Sequence, residues 1–274
     1  MGKDIRDMRT LDHRNVVALN FVREDSPYIF RRHFRQGLRS HVLEVLLRSD
    51  VEQERRGLLY RGLRRFPAAR PVKMLRIFRR RFSEASQVLE EIRRLRILEA
   101  YLPPDLLARS EEFIVDYRPD GRPQLLLCGL QEAVFGEILD PWNLPLSGAT
   151  RVSADLVRHA GRFVAGAKKM ILETGLIPDI AGIGNLFATP DSRIKLVDIN
   201  NVSRLPADSR IPLDDRGYPA CDKSIEALAR IEEHLCGASQ YKMAQPPYDR
   251  FLTAKRMRIV RELEERFLNS LKAW

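Results

Sequence analysis

The sequence predicts an α+β protein in two parts, a smaller one holding a sheet and a larger, mainly helical one. Strand-like runs at residues 72–78 and 112–128 flank a helical stretch in the first half. A long apolar pattern at spacings of 3 and 4 begins after Ser153. Between them PWNLPLSG, residues 141–148, carries two prolines and a glycine and reads as a connection. The boundaries that follow are a basic, partly helical region 1–70, a sheet-bearing part 71–140 and a helical part 141–274.

Each element has its own signal. Residues 1–30 show no clear period. Residues 34–48 predict a helix with Leu38, Val42, Leu46 and Leu47 on one face. The basic run 55–70 is broken by Gly57, Gly62 and Pro67, which leaves its state open. VKMLRIF, residues 72–78, predicts a strand. Phe82 and Ser83 supply a staple and cap for a helix reaching about Tyr101 that buries Val88, Ile92, Leu95 and Leu98. Pro103 and Pro104 end it. Residues 112–117 and 124–128 predict a hairpin turned by Pro119, Asp120 and Gly121. Ser153 caps a long helix burying Leu156, Ala160, Phe163, Ala167 and Met170, and Gly175 suits its left-handed end. A shorter helix is expected over 224–235. A last one runs from an Asp249 cap to about Lys272, with Leu252, Val260, Leu263, Phe267 and Leu271 on its apolar stripe.

Composition narrows the class. The 274 residues are 44% hydrophobic, enough for a real core. Three cysteines without CxxC spacing do not make a disulfide framework and fit a reducing compartment. No apolar run is long enough for a membrane span and no signal peptide is visible, so a cytoplasmic protein is expected. The five histidines show no metal spacing, and neither an HExxH, a GxSxG nor a dinucleotide fingerprint occurs. The net charge of +10 is uneven. Residues 1–100 hold 24 Lys plus Arg against 13 Asp plus Glu, a net of +11, and the remainder holds −1. Two readings of this excess stand side by side: arginine used in place of lysine throughout, or a surface for RNA, DNA or anionic lipid.

The chemistry concentrates in residues 175–205, GLIPDIAGIGNLFATPDSRIKLVDINNVSRL. They read as helix end, loop, short strand, turn, short strand and acidic exit. Asn185 and Asp198 stand at opposite ends of the predicted hairpin, with Asp179 on the loop before it. An amide and a carboxylate brought together are hard oxygen donors of the kind magnesium prefers, and Asp179 is placed to accept or steer a hydroxyl proton.

This order of long helix, Asp loop, Asn, hairpin and Asp resembles the catalytic segment of the protein kinase-like superfamily, including its atypical bacterial and small-molecule kinases. The resemblance implies a two-lobed kinase-like fold, with a small sheet-containing N-lobe and a mainly helical C-lobe, and ATP with magnesium as cofactors. It implies Asp179 as the catalytic Asp and Asn185 and Asp198 as metal ligands. Lys73 becomes the nucleotide lysine, and Glu91, or Glu90 beside it, its partner on the following helix. Gln131 and Glu132 would lie at the hinge, and Asp222 would open a buried helix of the second lobe. Five residues separate Asp179 from Asn185 where the superfamily has four, and Gly182 and Gly184 are placed to absorb the extra one. Asn200 stands where the superfamily has glycine after its metal Asp, and Asn tolerates positive φ. No GxGxxG precedes Lys73. A phosphotransferase of unknown acceptor, a degenerate pseudokinase and a non-catalytic protein docking on a polyanion through its basic N-terminal region are therefore the readings carried forward.

Overall fold

The structure is a computed structural model describing residues 4–23, 25–34, 39–118, 121, 123–144, 153–237 and 245–272. The predicted turn residues Pro119 and Asp120, connection residues 145–148, Leu38 and the side chain of Leu271 lie outside the described set. The chain divides into two compact units, residues 1–92 with 109–133, and residues 93–108 with 134–274.

The first unit is built on five antiparallel strands. They are β1 (Tyr28–Arg32), β2 (Ser40–Leu47), β5 (Lys73–Phe78), β6 (Ser110–Tyr117) and β7 (Gln124–Glu132), in spatial order β1-β2-β5-β7-β6. The basic segment 1–70 thus contributes two strands of the sheet. One face packs Leu43, Val45, Leu75, Ile77, Leu126 and Cys128 against Ile5, Leu11 and Val16 of the N-terminal segment. That segment includes the short helix α1 (His13–Val17), closed by a reciprocal Asp12–Asn15 cap. Phe78, Phe82 and Leu127 meet Val88 on α3 (Ala85–Tyr101), and Gln87 accepts the Ser83 backbone N–H at 3.0 Å.

The helix expected over 34–48 is a correction: Ser40–Leu47 is a strand, and α2 (Arg48–Arg56) begins only after it. SHVLEVLL is apolar on both faces because both are covered, Leu43 and Val45 by the N-terminal segment and Leu46 by Val51 of α2 and Ala69. A run buried on both sides loses the alternation that marks a strand and can imitate a helical stripe. On β5, Arg76 is buried in an ion pair with Glu112 of β6 at 2.8 Å and donates to Ser110 Oγ at 2.7 Å. Gly129, paired with Arg76 in register, leaves room for this cluster, since a Cβ there would stand 2.9 Å from the guanidinium. A two-stranded hairpin, β3 (Leu58–Tyr60) and β4 (Leu63–Arg65), occupies the segment whose state the sequence left open.

The second unit centres on α4 (Ala154–Thr174) and α5 (Ala220–Cys236). Ser153 Oγ accepts the Leu156 N–H at 3.1 Å, and Gly175 closes α4 at φ 65°. Leu156, Ala160, Phe163, Ala167 and Met170 are all buried, as the spacing predicts. Short strands carry the candidate segment: β8 (Glu137–Ile138), β9 (Leu176–Pro178), β10 (Leu186–Ala188), β11 (Ile194–Leu196) and β12 (Val202–Arg204). The C-terminal helix expected from Asp249 is two helices, α6 (Tyr248–Phe251) and α7 (Ala254–Lys272). Thr253 restarts the second one, its Oγ1 accepting from the Arg256 N–H and its carbonyl from Met257. Arg256 enters the core and pairs with fully buried Asp222 at 2.5 Å while donating to the Ser209 and Arg210 carbonyls at 2.9 Å.

Candidate functional site

The loop 179–185 is fixed from both strands that flank it. β9 pairs antiparallel with β12, and the register continues past Pro178 so that the Asp179 N–H donates to the Asn201 carbonyl at 2.7 Å. β10 pairs with β11, and the Val197 N–H donates to the Asn185 carbonyl at 2.8 Å. Asn185 therefore faces the residue immediately before Asp198. The loop is also held from elsewhere in the unit. The Ile180 N–H donates to buried Ser224 Oγ at 3.2 Å, and Trp142 Nε1 donates to the Ala181 carbonyl at 3.0 Å.

Within this frame the Asp179 carboxylate takes three donors. Oδ1 accepts from the Ala181 and Gly182 backbone N–H groups at 3.1 and 3.3 Å, and Oδ2 accepts from Asn201 Nδ2 at 2.7 Å. The surrounding protein mass, then the nearby Asp198 charge, push its carboxyl up to about 6, against the opposing effect of those donors. The side chain nonetheless keeps some accessible surface. Asn185 Nδ2 donates to the Asp179 carbonyl at 3.1 Å, which leaves its side-chain oxygen as an acceptor.

Both glycines act, in different ways. Gly184 adopts φ 86°, which glycine allows without penalty. Gly182 makes room: a Cβ there would stand 2.5 Å from Asn185 Nδ2. Asn200 does not take the positive φ expected of it, since the non-glycine residues with positive φ among those described are Asn20, Arg61 and Ser192. The residue that acts is its neighbour Asn201, whose Oδ1 is buried with no hydrogen-bond partner among the described residues.

Asp179, Asn185 and Asp198 thus share one neighbourhood in the second unit. Lys73 and Glu91 belong to the first. Lys73 starts β5, between Val45 and Glu132 in register, is half-buried, and enters no ion pair among the described residues. The Lys73–Glu91 pair implied by the resemblance is not formed. Glu91 is bound by Arg80 at 2.8 Å. Gln131 and Glu132 end β7 where the chain leaves the first unit, with Gln131 buried. Asp222 does open a buried helix, α5.

Sequence reasoning missed Asn201, Ser224 and Trp142. Asn201 had a signal, a second asparagine directly after the hairpin's exit. No group of three or more His, Cys, Asp or Glu side chains among the described residues could hold a metal, so any cation site here depends on the Asn185 oxygen beside carboxylate. Two surface concavities, one lined by Leu252, Met257 and Arg261 and one by His13, Val17 and Val22, include no residue of the loop. The chain matches no family model and no curated protein.

Proposed function

We propose that this chain is a kinase-like protein whose second unit binds magnesium-ATP at the 179–201 segment and supports phosphoryl transfer to a hydroxyl acceptor. The observation that carries the reading is the Asp179 carboxylate, held by three donors inside the same loop system that brings up Asn185 and Asp198. A carboxylate offers about four lone-pair sites. Three are occupied here, which leaves one on Oδ2 for an incoming hydroxyl. With its carboxyl pushed up to about 6, Asp179 is mostly ionised at neutral pH yet a better proton acceptor than an ordinary aspartate. Asn201 fixes the plane of that carboxylate.

The donor set fits magnesium. Asp198 contributes a carboxylate and Asn185 a side-chain oxygen freed by the bond from its own Nδ2, both hard ligands. Magnesium, when bound, would neutralise phosphate charge.

Thermal unfolding with ATP and magnesium tests the reading. A ligand at about 100 times its dissociation constant stabilises by about 2.7 kcal/mol. Wild type should shift upward and more with magnesium than with EDTA, and Asp198→Ala should shift less and equally in both. No shift in wild type at saturating ATP with magnesium or manganese refutes nucleotide binding. A shift without phosphoryl transfer assigns the chain to the pseudokinases.

A further inference from the structure

Residues 55–83 hold ten arginines and one lysine, with no aspartate or glutamate. The structure sorts the basic N-terminal third into paired and unpaired cations. Arg31 is bound by Glu44 and Glu54, Arg76 by Glu112, and Arg81 by Asp7. Arg55, Arg56, Arg61, Arg65 and Arg70 are exposed and enter no ion pair among the described residues. These five surround the β3–β4 hairpin.

The hairpin exposes apolar side chains that a globular protein ordinarily covers. Leu59 is 77% exposed, Leu63 75%, Phe66 61% and Tyr60 58%. The register pairs Leu58 with Arg65, Leu59 with Arg64 and Tyr60 with Leu63. Alternation then places Leu58, Tyr60, Leu63 and Arg65 on one face and Leu59 and Arg64 on the other. β3 and β4 pair with each other alone among the described residues, and all six of their residues are exposed. Its two-residue turn puts Arg61 and Gly62 at φ 47° and 80°, a tight loop with a cation at the tip, stacked 5.4 Å over the Tyr60 ring.

We infer that this hairpin is an anchor that lays its leucines and Tyr60 at the headgroup–acyl boundary of an anionic phospholipid bilayer, with the five free arginines on lipid phosphates. Apolar groups on both faces of a thin ribbon suit a fluid medium that closes around it, whereas a rigid protein surface would cover one face. Leucine has no ring to stack on a base, so Leu59 and Leu63 would stay exposed on a nucleic acid even where Tyr60 and Phe66 stacked. The outer edges of an isolated ribbon keep unpaired backbone groups, which limits insertion to the hydrated interface. No helix among the described residues is long and apolar enough to cross a membrane, and a surface anchor requires none. The inference rests on no part of the nucleotide reading.

Sedimentation of the full chain with vesicles tests it, using phosphatidylcholine alone and phosphatidylcholine mixed with phosphatidylglycerol. Wild type should sediment with the mixed vesicles, less so as salt rises, and remain in solution with the neutral ones. Arg61→Gln with Arg65→Gln should weaken binding roughly fivefold per arginine. Leu59→Ser with Leu63→Ser should weaken it by at least about tenfold. All four side chains are exposed, so both variants should unfold at the wild-type temperature, and Asp198→Ala should sediment as wild type. Equal sedimentation with both vesicles, none with either, or binding unmoved by the leucine changes overturns the inference. So does a single-stranded RNA that binds while vesicles do not.

Discussion

Replacing Asp179 by asparagine should stabilise this protein at neutral pH while removing its proposed activity. The carboxyl is pushed from its ordinary 3.8 up to about 6 by burial and by Asp198. An acid whose folded pKa is raised favours the protonated folded state. Its stabilising contribution is fully present below about pH 4 and is lost as pH rises through about 6. A shift of roughly two units, at about 1.36 kcal/mol each, makes the ionised form about 3 kcal/mol unfavourable at pH 7. Asparagine carries no charge to desolvate. Its oxygen can keep the bonds from the Ala181 and Gly182 N–H groups. Its new amide group would oppose Asn201 Nδ2, but Asn201 Oδ1 has no partner among the described residues, and turning that amide over supplies an acceptor. Urea unfolding of both proteins from pH 4 to pH 8 reads the effect. Asp179→Asn should match wild type near pH 4 and gain on it steadily, by up to about 3 kcal/mol at pH 7. Stability curves that run parallel across this range, or a variant weaker than wild type at pH 7, would show that the Asp179 carboxylate is not penalised in the folded protein.

Two further substitutions separate the loop's geometry from its foundations. Gly182→Ala puts a Cβ 2.5 Å from Asn185 Nδ2, so it should displace that amide and weaken magnesium-dependent nucleotide affinity about tenfold or more in a binding titration. Asp222→Ala leaves buried Arg256 with two backbone carbonyls and no counter-charge, and should lower unfolding free energy by about 3–5 kcal/mol in denaturant melts.

What could be read from the sequence follows from how local each signal is. α4 was legible because its cap Ser153, its apolar stripe and its closing Gly175 all lie within the helix or beside it. The hairpin that sets Asn185 opposite Val197, next to Asp198, was legible for the same reason, since its turn residues mark it. β2 was not, because each of its faces packs on a different partner, so both carry apolar residues and the alternation is hidden. The break at Thr253 was hidden by an apolar pattern that continues across it. The supports of Asp179 were the least visible: Asn201 lies 22 residues away, Trp142 39 from the carbonyl it binds, and Ser224 44 from its partner. Spacing along one segment cannot show what distant segments bring to it. Glu91 is paired with Arg80, a cation that spacing along the helix does not single out.

In the proposed site Asp198 couples metal to nucleotide beside Asp179. Calorimetric titration of ATP into wild type and Asp198→Ala, each with magnesium and with EDTA, tests it most directly. Wild-type affinity should rise by at least about tenfold, or about 1.4 kcal/mol, when magnesium is present, while Asp198→Ala should bind ATP equally with and without it. Equal magnesium dependence in the two proteins, or no ATP binding by wild type, would contradict the account.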